Sequence, residues 1–284
     1  MEKTVIKPSK KWFDINLKEI LKHKDLIFLL VKRNIVAAYK QTILGPLWAF
    51  IQPLLTTFVF TFVFGTLAGL STDGAPQFLF YLCSNITWLY FSNCLNSVSN
   101  TFIGNAYLFK KVYFPRLIMP ITTVITYLVT LGIQSLLFII SCIISSLIGN
   151  AAINISIWLL FVPVLIVMIG LLSIGLGIII CSITTKYRDL LMLVSFGIQL
   201  WHYATPVAYG TTVIPEHLLN LYMLNPMAPI VCMMRYCVLG SMSNNMTLEQ
   251  LLIYLAIAAA IIIFIAVIGL ALFSRIEKNF VDTV

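Results

Sequence analysis

The 284-residue chain is 60% hydrophobic and only 10% charged, with a mean hydropathy of +0.99 and a formal net charge of +8. No single water-soluble core absorbs that much apolar surface, so most of the chain is solvated by lipid, which excludes an ordinary globular enzyme. Backbone groups in hydrocarbon must be satisfied internally, and the apolar runs hold no alternating strand pattern. The expected fold class is therefore all-α and polytopic.

In chain order, residues 1–42 form a polar, basic N-terminal segment without the apolar h-region of a cleavable signal. Within it, Leu17 to Lys40 reads as an amphipathic helix on the membrane surface. Ile20, Ile27, Phe28, Val31, Ile35 and Ala38 recur at helical spacing, and Asp25, Lys32, Arg33 and Lys40 fall on another side. Its cations suit either an anchor to lipid phosphates or a site for a phosphorylated substrate. The transmembrane region, residues 43–284, holds uncharged runs long enough for spans near 44–70, 78–103, 117–148, 155–183, 190–210 and 251–273. The third and fourth spans are separated by a turn at Gly149, Asn150 and Asn154. Pro46 suits the first turn of span one, whereas Pro53 lies inside it and predicts a kink.

Seventeen of the 18 Lys and Arg residues fall on one side of these six spans. The positive-inside rule makes that side, and both termini, cytoplasmic. The net charge then reflects topology and attraction to anionic lipid, and no nucleic-acid partner is expected. The six cysteines are scattered, with no metal or redox spacing.

Polar groups inside the spans form stripes. Trp48, Gln52 and Thr56 share a face of span one; Tyr81, Asn85, Trp88, Ser92, Asn96 and Ser99 share one of span two; Ser195, Gln199, His202, Tyr203 and Pro206 mark span five. Aromatic faces alternating with hydroxyls and amides suit a sugar conduit. They equally suit helix packing, where such groups contribute about 1 kcal/mol each. No Asp or Glu lies within the predicted spans, which disfavours ion-coupled transport. There is also no GxxxxGK[ST] phosphate loop, so any ATP-driven motor is another polypeptide. The outer segment from Gly210 to Gln250 is broken by prolines into apolar pieces, Leu218 to Leu224 and Ile230 to Leu239, each too short to cross and suited to re-entrant helices. Arg235 is the single outer basic residue, with headgroup snorkelling, a salt bridge to Glu216 or a gate role as its options.

The blocks "VKRNIVAAYKQTILGPLWAFIQPLLTTFVFTFVFG", "NAYLFKKVYFPRLIMP", "KYRDL" and "LNPMAPIVCMMRYCVLG" resemble, in the same order, ABC-2 type permeases that export bacterial polysaccharides, nearest to the O-antigen (lipopolysaccharide) export permeases. The resemblance spans about Leu26 to Phe273. It implies a non-catalytic homodimer in the bacterial inner membrane, paired with two ATP-binding subunits that carry the ATP and Mg, so that this chain binds no cofactor. It also implies export of an undecaprenyl-diphosphate-linked glycan through a continuous channel at the permease interface, for which the polar and aromatic faces make Trp48, Gln52, Tyr81, Asn85, Trp88, Ser92, Asn96, Gln199 and Tyr203 the lining candidates. By the same resemblance Lys32, Arg33 and Lys40 face the lipid diphosphate, the loop Asn105 to Arg116 is a coupling helix presenting Lys110, Lys111, Tyr113 and Arg116 to the ATPase, and Glu216 and Arg235 belong to an outer gate. The same cations would also be needed merely to set topology. Relatives often carry an acidic residue shortly before the gate arginine, but Cys232, Met233 and Met234 stand there. A local ion pair is therefore in question, with Glu216 the nearest acid by sequence. Capsule or teichoic acid export, drug or lipid export within the same superfamily, and an ATP-independent channel are the alternatives.

Overall fold

The computed structural model describes residues 22–40, 44–111, 114–149, 156–184, 187, 189–243 and 245–283, with side chains to 273 apart from those of 102, 106, 109 and 110. The described residues are helices and turns, without strands. Helix α1 is Lys24–Lys40 and α2 is Trp48–Phe60, entered through a 3-10 turn Gly45–Leu47 with Pro46 in its first turn and continued as a π-helix Thr61–Leu67. Then come α3 (Gln77–Ser99), two short helices α4 (Thr101–Gly104) and α5 (Ala106–Lys111), and α6 (Ile118–Leu147). After these follow α7 (Val162–Thr184), led by a 3-10 turn Ile157–Phe161, and α8 (Leu190–Tyr203). Helices α9 (Glu216–Tyr222), α10 (Met227–Leu239) and α11 (Leu248–Thr283) complete the chain. Part of the predicted N-terminal helix, residues 17–21, lies outside the described residues.

Local chemistry sets several of these boundaries. The Ser156 side chain caps the turn into α7 by accepting from the Trp158 N–H. Thr247 and Gln250 exchange side-chain and backbone hydrogen bonds at the head of α11, a capping box written as "TLEQ". Gly240, at φ +66°, supplies the left-handed residue that ends α10.

Among the described residues, four stretches are long and apolar enough to cross a membrane: Gly45–Leu67, Ile118–Leu147, Ile157–Thr184 and Leu248–Phe273. The other two predicted spans differ for separate reasons. Helix α3 has the length, 23 residues, but is too polar, because seventeen of its residues are buried among other helices rather than in lipid. Helix α8 has only 14 residues, about 21 Å at 1.5 Å per residue. It ends ahead of Pro206, which disfavours helical geometry in the residue before it. The two outer apolar pieces are helical, as α9 and α10.

Helix α3 is the hub, packed by α2, α6, α7, α8 and α10, while α7 also packs on α11 and α1 on α6. Its hydroxyls are absorbed by its own backbone: Ser84, Thr87 and Ser99 donate to the carbonyls of Phe80, Cys83 and Leu95. Lipid offers helices no hydrophobic drive to associate, so close van der Waals contact matters more. At the α7–α11 crossing, a Cβ on Gly269 would lie 2.6 Å from the Gly175 carbonyl oxygen, so both backbones require glycine there.

Candidate translocation cavity

At the end of the bundle that carries Lys111 and Arg116, α1, the last turn of α3, the first half of α6 and the start of α8 enclose an open cavity of about 620 Å³. Twelve of its nineteen lining residues bear a hydroxyl or an amide and none is charged. Sequence spacing builds these walls. Met119, Thr123, Thr126, Tyr127 and Thr130 advance down one face of α6, and Asn96, Ser97, Ser99 and Asn100 occupy the closing turn of α3. Hydrogen bonds join the walls to one another. Tyr39 of α1 meets Thr130 of α6 at 3.2 Å, Ser97 of α3 meets Tyr127 at 2.7 Å, and Ser195 of α8 donates to Asn96 Oδ1 at 3.3 Å.

A cation stands at the rim. Arg33 is exposed, and its Nε and Nη2 both donate to Oδ1 of Asn34, itself a lining residue, at 3.2 and 2.9 Å. Lys32 and Lys40 are exposed on the same helix. The side of α1 toward the bundle buries Leu30 and Val31, whereas Phe28, assigned to its apolar face from spacing, is 73% exposed.

The predicted conduit residues divide into two groups. Tyr81, Asn85, Trp88 and Ser92 are buried between helices in this chain. Asn85 donates to the Pro53 carbonyl of α2 at 3.3 Å, and Trp88 stacks on His202 of α8 at 5.1 Å. His202 is held between Trp88 and Phe60, so its ring docks α8 against both α2 and α3. Trp48, Gln52, Gln199 and Tyr203 point outward, and Asn96 opens on the cavity. The cavity therefore draws on two residues of the span-two stripe, Asn96 and Ser99, with most of its walls coming from α1 and α6. Tyr39 and the α6 threonines went unnoticed because hydroxyls four apart in an apolar run read as ordinary packing; their shared face with Tyr127 was the available signal.

Of the basic knob, Lys111 is exposed, bonded to the Tyr107 hydroxyl, with Nζ 4.1 Å from that ring's centroid. Arg116 is half-buried. The Lys110 side chain and Tyr113 lie outside the described residues.

At the opposite end, Arg235 of α10 is 2% exposed. Its Nη1 donates to the Pro206 carbonyl at 2.9 Å, and its guanidinium lies 4.2 Å from the Phe80 ring centroid. The acid near it is Asp73, from the turn after α2, and not Glu216, which is exposed at the head of α9. Sequence distance misled because the loop that supplies Asp73 is over 160 residues away. Burial pushes the Asp73 carboxyl above the usual carboxylate range, and Arg235 is the largest influence opposing that shift. Close by, Asn225 uses its whole amide. Oδ1 accepts from Trp201 Nε1 and the Met227 N–H, and Nδ2 donates to Thr205 Oγ1 and the Ala204 carbonyl.

A helical bundle with several membrane-length helices defines a multi-pass membrane protein. The chain belongs to the ABC-2 type transporter family, whose description matches residues 25–239. Two proteins of Klebsiella pneumoniae, each called O-antigen export system permease protein RfbA, are 25% and 26% identical to it over 259 residues, 91% of this chain and 94% of theirs. A Myxococcus xanthus protein of the same description is 27% identical over 218 residues, 76% of this chain and 80% of its own.

Proposed function

We propose that the chain is the permease half of an ATP-driven exporter of a lipid-linked, O-antigen type polysaccharide, working as a homodimer with two copies of a separate ATP-binding subunit. The observation that carries this reading is the cavity. Twelve hydroxyl or amide side chains without a charge, set among apolar ones such as Met119, Leu191 and Val194, complement a neutral sugar, which offers hydroxyls for hydrogen bonds and C–H faces for apolar contact. The cations of α1 complete the match: Arg33 at the rim, with Lys32 and Lys40, would hold the diphosphate that joins glycan to lipid. The relatives named as O-antigen export permeases cover nine-tenths of the chain and point the same way.

In this reading the basic end is cytoplasmic, the protein sits in the bacterial inner membrane, and α3 and α8 complete six passes within the assembly. Helices α9 and α10 form re-entrant pieces of an outer gate. The exposed Trp48, Gln52, Gln199 and Tyr203 would face the conduit between two copies, with Tyr81, Asn85, Trp88 and Ser92 shaping it from behind. The segment around Lys110, Lys111, Tyr113 and Arg116 would meet the ATPase. Neither catalysis nor a cofactor falls to this chain. Energy enters when the ATPase closes, and the helices answer by rigid-body shifts.

The test replaces Asn96 and Thr126 with Leu and Val in the assembled transporter. Glycan export should fall at least about tenfold with assembly intact, the cost of leaving a sugar's polar groups unmatched. Unimpaired export in the double variant would contradict the assignment of the cavity.

A further inference from the structure

At the end of the molecule opposite the cavity, three chain segments remote in sequence converge on Arg235. The first is the turn after α2. Asp73 adopts φ +51° there, unusual for a residue with a side chain, and the Ser241 hydroxyl secures the turn by donating to the Asp73 carbonyl at 3.0 Å. The second segment is Gly210 and Thr211, after α8. The Asp73 carboxyl lies so close over Gly210 that a Cβ there would fall 2.6 Å from Oδ1. The third segment follows α10. Ser243 donates to Asn245 Oδ1 at 2.6 Å, and Asn245 Nδ2 donates to the Thr211 carbonyl at 2.9 Å.

Asp73, Thr211, Cys232, Arg235 and Ser243 line a small cavity of about 10 Å³, the scale of a single water. Arg235 is committed to Pro206 and to Cys232 Sγ and makes no direct ion pair with Asp73. Asp73 Oδ1 is buried without a hydrogen-bond partner among the described residues. A guanidinium this buried needs a counter-charge, and removing the counter-charge leaves the cation uncompensated.

We propose that Asp73 is the counter-charge of Arg235 and that the two, facing each other across this cavity, latch the loop after the first span onto the gate helix α10. Asp73 is thus a positioning residue: it acts on the outer gate through Arg235, touching no substrate. The link is made through space and not by a bidentate bond, which makes it releasable. Any displacement of α2 then reaches α10 directly. The latch rests on α10 belonging to the outer gate, but its test requires no substrate.

Met242 is half-buried beside the latch and reports on it. In right-side-out membrane vesicles holding the full chain with Met242→Cys, labelling by a membrane-impermeant maleimide should rise about tenfold in Asp73→Asn, the scale of a local opening when a buried charge loses its partner. Each variant without Met242→Cys sets its own background, because the native Cys232 lines the same cavity and an opening would expose it as well. Arg235→Gln should match Asp73→Asn, the double variant should exceed neither, and Asp73→Glu should stay near the parent. Misfolding is controlled within one sample. Asp73→Cys with Gly210→Cys brings two sulfurs within disulfide reach; labelling at Met242→Cys, counted above a reduced Asp73→Cys, Gly210→Cys chain that keeps Met242 and so reports the two freed thiols, should be low when oxidised and high after reduction of that pair. Labelling unchanged in Asp73→Asn, or additive effects in the double variant, would overturn the latch. Labelling that behaves as expected in a transporter indifferent to glycan would leave the latch standing and remove the substrate assignment alone.

Discussion

Asn225 offers the sharpest test of how α8 is joined to α10. Its amide makes four hydrogen bonds, at 2.9 Å from Trp201 Nε1, 3.1 Å from the Met227 N–H, 3.0 Å to Thr205 Oγ1 and 3.2 Å to the Ala204 carbonyl. Asn225→Ala removes all four at once. Side-chain hydrogen bonds within membrane proteins average about 0.6 kcal/mol each, and a buried group left unpaired costs about 1–3 kcal/mol. Four lost bonds, with Trp201 Nε1 left without this acceptor, give a destabilisation of about 2–4 kcal/mol. Asn225→Asp keeps an acceptor for Trp201 and Met227 but loses the two donated bonds, so its loss should be about half as large. Titration of the purified protein with SDS, read by tryptophan fluorescence, measures both variants against the parent. A loss below about 0.5 kcal/mol for Asn225→Ala would refute the reasoning, since that is the scale of a surface substitution away from special features.

Other expectations follow from particular contacts. Gly269→Leu should destabilise the bundle by at least about 3 kcal/mol or prevent its accumulation in membranes, because its side chain meets the Gly175 backbone and nothing flexible can yield; membrane yield and thermal aggregation would show it. Leu at Gly132, which has open space where a Cβ would stand, is the matched control and should be tolerated. His202→Ala should loosen α8, since the imidazole lies between Phe60 and Trp88 with ring centroids at 5.6 and 5.1 Å. Limited proteolysis after α8 should accelerate, and an unchanged rate would count against the docking role. Lys111→Ala should weaken ATPase association or coupling while leaving the bundle's own stability within about 0.5 kcal/mol, as expected for an exposed side chain. Unchanged association and coupling would mean that Lys111 only sets topology.

Apolar run length and proline placement were enough to outline most of the helices. The expected third span at 117–148 appears as Ile118–Leu147, and the fourth at 155–183 as Ile157–Thr184. The fifth was overextended because an uncharged stretch does not reveal where a helix stops, whereas Pro206 and the Asn225 bonds do. Stripes on α3 were legible as polar faces, but a helix surrounded by other helices has no side that faces lipid, and so spacing alone could not separate conduit from packing. Asp73 beside Arg235 was illegible for a plainer reason. Their pairing is a long-range closure between the first loop and the gate segment, and neither local periodicity nor sequence distance encodes it.

The decisive measurement is ATP hydrolysis by the chain purified with its ATP-binding partner in lipid nanodiscs, with and without undecaprenyl-diphosphate-linked glycan. A stable two-plus-two complex whose hydrolysis responds to the glycan, and loses that response in the Asn96→Leu, Thr126→Val variant, is the predicted result. Failure to associate, or hydrolysis that ignores glycan and responds instead to small amphiphiles, would contradict glycan export and return the polar cavity to another substrate.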